Sequence, residues 1–244
     1  MRETIDRALR RQRVLVVVAV VAGVLWGVLG TLADRGATGA VVALAPILLW
    51  LGYWGHELFR SPSRTGLRVA PEQSTFFAPP RWPVTLPVVM TAWLPLQLVT
   101  YSARWGRDAF WWFLLVVTAV AVAIVVREQW LRLPLVEITP DGVGYGWPRR
   151  TVFVPWAAVD RDGPLWAAQG DTFLRLPLVR PDLVRRSRLA RRRAEQRFRV
   201  RNVDVAPVFL AAAVRHYARH PEHRTGIGTR EEYARLCRTL TGGD

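Results

Sequence analysis

A chain of 244 residues that is 51% apolar and 22% charged fits poorly as one soluble domain, and becomes natural if its apolar residues are gathered into membrane spans. Its 34 basic residues, every one an Arg, outnumber 19 acidic ones and leave a formal net charge of +15, which calls for an anionic neighbour: a membrane surface, an acidic protein or nucleic acid. The single cysteine, Cys237, excludes an internal disulfide and a cysteine-based metal site within one chain, and fits a reducing compartment for the C-terminal part.

Residues 1–13 form a basic tail with five Arg. A first span is expected at 14–32. It is longer than a signal-peptide core of about 7–15 residues, and a second apolar run follows almost at once, so a helical hairpin is the simpler account. Ala19, Gly23, Gly27 and Thr31 recur every four residues along it. Small side chains on one face let another helix approach closely, here within the chain's own bundle or across a homo-oligomer. Asp34-Arg35-Gly36 makes a turn, and 37–54 is the second span, with Pro46 inside it and Trp50, Tyr53 and Trp54 at its end.

Residues 55–82 are rich in Pro, Ser and Gly and read as a polar connector, with Phe76 and Phe77 dipping into the membrane interface. The third span, 84–101, carries Pro87, Pro95 and Gln97; a buried amide in a span needs a partner. The fourth, 109–126, has no charged residue, and at 1.5 Å per residue it covers roughly 27 Å of bilayer. Arg is enriched in the tail, in the 55–82 segment and after residue 126. Positive-inside reasoning therefore expects four spans with both termini in the cytoplasm. None of the spans contains Asp, Glu, Lys, Arg or His, which argues against a charge-coupled transporter.

Beyond the last span the pattern changes to short alternating runs at 136–139, 143–147, 151–156, 165–168 and 172–176, separated by turn residues such as Pro140-Asp141-Gly142. This predicts an antiparallel meander. Residues 182–197 predict an Arg-rich helix bearing Arg185, Arg186, Arg188, Arg191, Arg192, Arg193 and Arg197. Such dense like charge is relieved on an anionic surface. The run lacks interleaved aromatics for base stacking apart from Phe198 at its edge, which disfavours nucleic acid. The alternating 198–205 returns to the sheet. Near the end, Thr229 and Glu232 form a capping box, and Tyr233, Leu236 and Leu240 form an apolar stripe.

Residues 136–160 resemble the opening of bacterial PH-like domains, those of actinobacterial membrane proteins in particular. The resemblance rests on Ile138-Thr139-Pro140-Asp141-Gly142 and on the Val154-Pro155-Trp156 step. It implies a partly open barrel or two packed sheets spanning 133–244, closed by a C-terminal helix at 206–220 with Pro207 in its first turn. The abundance of Arg, Ala, Val and Gly fits a GC-rich bacterial genome. The expected location is thus the inner (plasma) membrane of a bacterium. The first hairpin turn departs from phosphoinositide-binding PH domains, since it holds an acid and no base.

The expected fold class is a four-helix membrane bundle followed by a small α+β PH-like domain. The expected role is non-catalytic binding or scaffolding at the bilayer, with anionic lipid headgroups or an acidic protein as partner and no cofactor. Two other roles compete. His56-Glu57 is a possible acid–base pair for an enzyme, and Pro46, Pro87, Pro95 and Gln97 are possible linings of a passive path. No phosphate-loop, nucleophile-elbow or dinucleotide motif is present. His216, His220 and His223 lie close in sequence, but Pro221 interrupts the helix before the third and no HExxH glutamate accompanies them, so they read as surface histidines rather than metal ligands.

Overall fold

The computed structural model describes residues 2–32, 48, 51–53, 55–56, 59, 63–81, 86–102, 109–131, 133–147, 150–163, 165, 167–168, 170–186 and 195–242. The chain divides into two compact units. One comprises Asp6–Arg60 and Pro83–Leu131; the other comprises Met1–Ile5, Ser61–Trp82 and Arg132–Asp244.

The first unit contains helices α1 (Arg2–Leu32, which begins in the other unit), α2 (Leu86–Ser102) and α3 (Ala109–Leu131). Among the described residues, two helices are long and apolar enough to cross a membrane: α1 over Ile5–Leu32, and α3. The second expected span, 37–54, lies mostly outside the described residues; Leu48, Leu51, Gly52 and Tyr53 within it are helical. Apolar side chains such as Val17, Val21 and Leu25 on α1 and Phe113, Val117 and Val120 on α3 are exposed, as lipid-facing positions would be.

The small-residue stripe packs inside the unit for part of its length. Gly23 and Gly27 are buried and Ala19 is half-buried. A Cβ at Gly23 would stand 2.0 Å from the Ala92 carbonyl oxygen of α2, and one at Gly27 would stand 2.8 Å from Val99 Cβ. Only glycine permits that approach. Thr31, the fourth member, is exposed, and its hydroxyl donates back to the Val28 carbonyl at 2.8 Å. Four residues advance a helix about 40° past a full turn, so the stripe has rotated off the contact by its fourth step. Where α1, α2 and α3 meet, Gln129 is buried; its side-chain amide donates to the Thr91 hydroxyl, and its backbone carbonyl accepts from the Gln12 side chain.

The second unit is built on an antiparallel sheet of six strands among the described residues. With β6 (Phe173–Pro177) set aside, these are β1 (Arg68–Ala70), β2 (Thr75–Ala78), β3 (Leu133–Thr139), β4 (Gly142–Trp147), β5 (Val152–Pro155) and β7 (Arg185–Arg186), in the order β1-β2-β3-β4-β5-β7. A ribbon of β6 (Phe173–Pro177) and β8 (Glu195–Arg199) stands apart from it as a second sheet. Tyr145 of β4 stacks on Phe198 of β8 with centroids 5.9 Å apart, which ties the two sheets. Helices α4 (Pro207–Arg219) and α5 (Arg230–Thr241) follow, joined by a 3-10 turn over Pro221–Gly226.

The structure corrects the sequence reading in three places. The 55–82 segment is no mere connector: β1 and β2 belong to this sheet, with Phe76 opposite Ile138 and Phe77 opposite Glu137. Both phenylalanines are buried in the unit rather than set at a membrane interface. Their partner strand lies some sixty positions on, so local composition could not reveal the pairing. Residues 182–197 do not form one helix, since β7 and the first residues of β8 lie within them; Arg188, Arg191, Arg192 and Arg193 fall outside the described residues. Phe198 and Val200 point inward between the outward Arg197 and Arg199, a period of two that favours strand. The 165–168 run has no strand among its described residues, although Leu165 enters the core.

The core lies between the sheets and α4. Val136, Ile138, Val143, Val154, Leu174, Leu176 and Phe198 meet Leu210, Ala213, Val214 and Tyr217. The two stretches 138–142 and 154–156 make one corner. The Trp156 indole N–H donates to the Thr139 carbonyl at 3.0 Å, and the Trp156 backbone N–H donates to the Asp141 carbonyl at 3.1 Å. Helix α4 starts with Pro207 in its first turn, where the missing N–H costs nothing. Thr229 caps α5 by accepting from the Glu232 backbone N–H at 3.2 Å. The capping box is only half made, because the Glu232 carboxylate is engaged elsewhere.

Candidate functional site

Three features of the second unit carry charge or ligand chemistry: the outer face of the ribbon, a buried acid on β3, and a histidine cluster after α4.

On the ribbon, side chains alternate. Leu174, Leu176 and Phe198 are buried, while Phe173, Arg175, Arg197 and Arg199 are exposed. The register sets Arg175 directly opposite Arg197, and Phe173 opposite Arg199. Like charges facing each other across a strand pair destabilise it. Glu195 relieves part of this, accepting from Arg197 Nε at 2.9 Å. Arg185 is also exposed, at the edge of the larger sheet, and Arg186 pairs in register with Val152. Of the seven arginines expected to bind an anionic surface, the structure thus places Arg197 on the ribbon face and Arg185 and Arg186 on β7. Arg175 and Arg199, which share the face with Arg197, were missed. Their alternation with Leu174, Leu176 and Phe198 was the available signal.

Glu137 is 2% exposed on its side chain, and Arg150 Nε donates to its Oε2 at 3.0 Å. Its Oε1 has no hydrogen-bond partner. Burial pushes the Glu137 carboxyl above the ordinary carboxylate value, and the Arg150 charge offsets this only in part. Gly144 stands opposite Glu137 and leaves the space that Arg150 fills: a Cβ there would lie 3.2 Å from Arg150 Cδ. The Arg150 guanidinium also sits over the Phe153 ring, 4.9 Å from its centroid.

The histidine cluster is built by the end of α4 and the 3-10 turn. Pro221 starts that turn, and the turn brings His223 back onto α4. His223 Nδ1 lies 2.9 Å from His216 Nε2, and the three rings of His216, His220 and His223 sit with centroids 4.9–5.1 Å apart. His220 Nδ1 is 3.1 Å from Glu222 Oε1, and His223 Nε2 is 3.8 Å from the same oxygen. Arg224 pins the turn by donating to the Tyr217 and Ala218 carbonyls at 2.7 and 3.1 Å. Below the cluster the Tyr217 hydroxyl donates to Glu232 Oε1 at 2.9 Å, and Arg235 Nη2 lies 2.6 Å from Glu232 Oε2. Burial, then the neighbouring His220 and His223, hold His216 below the ordinary histidine value, so neutral imidazole is favoured there.

The histidines are therefore not independent surface groups: His216 is buried and the proline break gathers them instead of parting them. Their spacing of i, i+4, i+7 was the legible signal, since it keeps three side chains on one helical face even when the last turn tightens.

The other sequence candidates do not converge. His56 is exposed, and Glu57 and Pro46 lie outside the described residues. Pro95 is buried inside α2 and Gln97 is half-buried beyond it. No family model, no curated protein and no solved structure matches this chain.

Proposed function

We propose that the chain is a multi-pass bacterial inner-membrane protein that presents a PH-like binding domain on the cytoplasmic side, and that this domain engages anionic lipid headgroups without doing chemistry on them. The carrying observation is the outer face of the ribbon, where Arg175 and Arg197 oppose each other in register with Arg199 beside them. An arrangement that costs energy in water is relieved by an anion, and each Arg close to an anionic leaflet gains about 1 kcal/mol. Exposed Phe173, opposite Arg199 in register, supplies apolar contact for the acyl boundary. Two apolar helices of spanning length support residence in the bilayer, and the Arg distribution supports four spans with both termini inside. Two sheets closed by α4 support the PH-like reading.

The test uses the full chain in nanodiscs of zwitterionic lipid and of lipid containing phosphatidylglycerol, followed by hydrogen exchange. Slower exchange over 172–177 and 195–199 in the anionic discs alone, erased by high salt, is the expected result. Equal exchange in both discs would overturn lipid engagement and turn attention to an acidic protein partner.

A further inference from the structure

We propose that His220, Glu222 and His223 form a binding site for a zinc-class divalent cation, with His216 orienting the ring of His223, a site separate from the basic ribbon face.

The ligands are of the right kind. Imidazole nitrogens suit zinc and its neighbours, whereas magnesium and calcium require oxygen. They are also close enough. Zn–N bonds of about 2.0–2.1 Å put the nitrogens of a tetrahedral site roughly 3.3 Å apart. His220 Nδ1 and His223 Nε2 stand 3.1 and 3.8 Å from the same Glu222 oxygen, while the other nitrogen of His223, Nδ1, is held by His216 Nε2 at 2.9 Å. One ligand atom each from His220, Glu222 and His223 lies within 4.8 Å of the others, and the same holds for His216, His223 and Glu232, so His223 is the shared member. Glu232 is the poorer oxygen donor, because its two carboxylate oxygens serve Tyr217 and Arg235. Glu222 is the better one: its carboxylate is 60% exposed and stands beside His220 and His223.

The frame suits a metal as well. His216 is anchored on α4, and the Arg224 contacts to the end of α4 hold the turn bearing His223. His220 and Glu222 are exposed on the outer side and offer an entry path. A cation bound at His223 Nε2 would leave the His216–His223 hydrogen bond in place to orient the ring, and would clasp the turn to His220 at the end of α4. Binding to the folded state alone raises the melting temperature of the unit by mass action.

The experiment uses tag-free full-length protein in detergent, stripped with chelator and titrated with zinc chloride by calorimetry, with magnesium chloride as control. One zinc per chain is expected, together with a higher melting temperature and no response to magnesium. His220→Ala and His223→Gln are each expected to weaken binding more than about 10-fold, since even an outer-shell change costs that much at such sites. Both residues are at least partly exposed, and an unchanged circular dichroism melt of the zinc-free variants shows that they fold. X-ray absorption at the zinc edge is expected to show imidazole scattering. Absence of stoichiometric binding, or binding unchanged in the His220→Ala, His223→Gln double variant, overturns the site and leaves the three rings as a hydrogen-bonded stack.

Discussion

The Phe76 ring lies 5.5 Å from the Tyr233 ring, so a strand that precedes two apolar helices packs on the last helix of the chain. Phe76 is fully buried and also meets Tyr217 at 6.3 Å. The second unit is thus assembled from stretches far apart in sequence, and its closure depends on the segment before α2.

Phe76→Ala should destabilise that unit by about 3–5 kcal/mol, the usual cost of emptying a buried aromatic site. Denaturant unfolding followed by tryptophan fluorescence measures it. A change below about 1 kcal/mol would show that β1 and β2 are not part of the cooperative core.

Arg150→Ala should cost about 1–3 kcal/mol at neutral pH, because it leaves the Glu137 carboxylate buried without its donor. Glu137 adds a pH dependence of definite sign. Its carboxyl titrates above the ordinary carboxylate value when folded, so the folded state holds a proton that the unfolded chain has already released. Its penalty is absent below the unfolded value and grows as pH rises toward the folded value. Glu137→Gln should flatten this slope in melts taken across the mildly acidic range, and an unaltered slope would assign it to another group.

Trp156→Phe keeps one aromatic ring but removes the indole N–H, leaving the Thr139 carbonyl without its indole donor, and trims the buried side chain. The expected loss is about 1–3 kcal/mol. The corner between 138–142 and 154–156 should also exchange its amide hydrogens faster. Unchanged exchange there would mean that the backbone bond from Trp156 to Asp141 suffices.

Gly23→Val should disrupt the contact of α1 with α2, since even the first added carbon would overlap the Ala92 carbonyl. Overpacking of this kind costs about 1–3 kcal/mol. Leu25→Ala, at a position 59% exposed on the same helix, should stay within about 0.5 kcal/mol. Thermal unfolding in detergent compares the two. Equal effects would mean that the close approach is not what holds α1.

The sequence alone determined the features set by local rules. Unbroken apolar length marked α1 and α3 as helices able to span a bilayer. Alternation and turn residues located β3, β4, β5 and β6, and periodicity with Pro207 and Thr229 located α4 and α5. These signals sit within a few residues of the element they announce. Only the tertiary structure decided what depends on partners distant in the chain. Thr75-Phe76-Phe77-Ala78 is too short to declare itself a strand, and it becomes one by pairing with Val136, Glu137 and Ile138. Arg197 belongs to a strand because β8 pairs along its length with β6, and that pairing sets Arg175 opposite it. His223 reaches His216 because a proline starts a tight turn, a local break that folds the chain back instead of leading it away. Sequence spacing reports angles around one axis, while pairing and turns set distances between elements, and those distances bring the ligand atoms together.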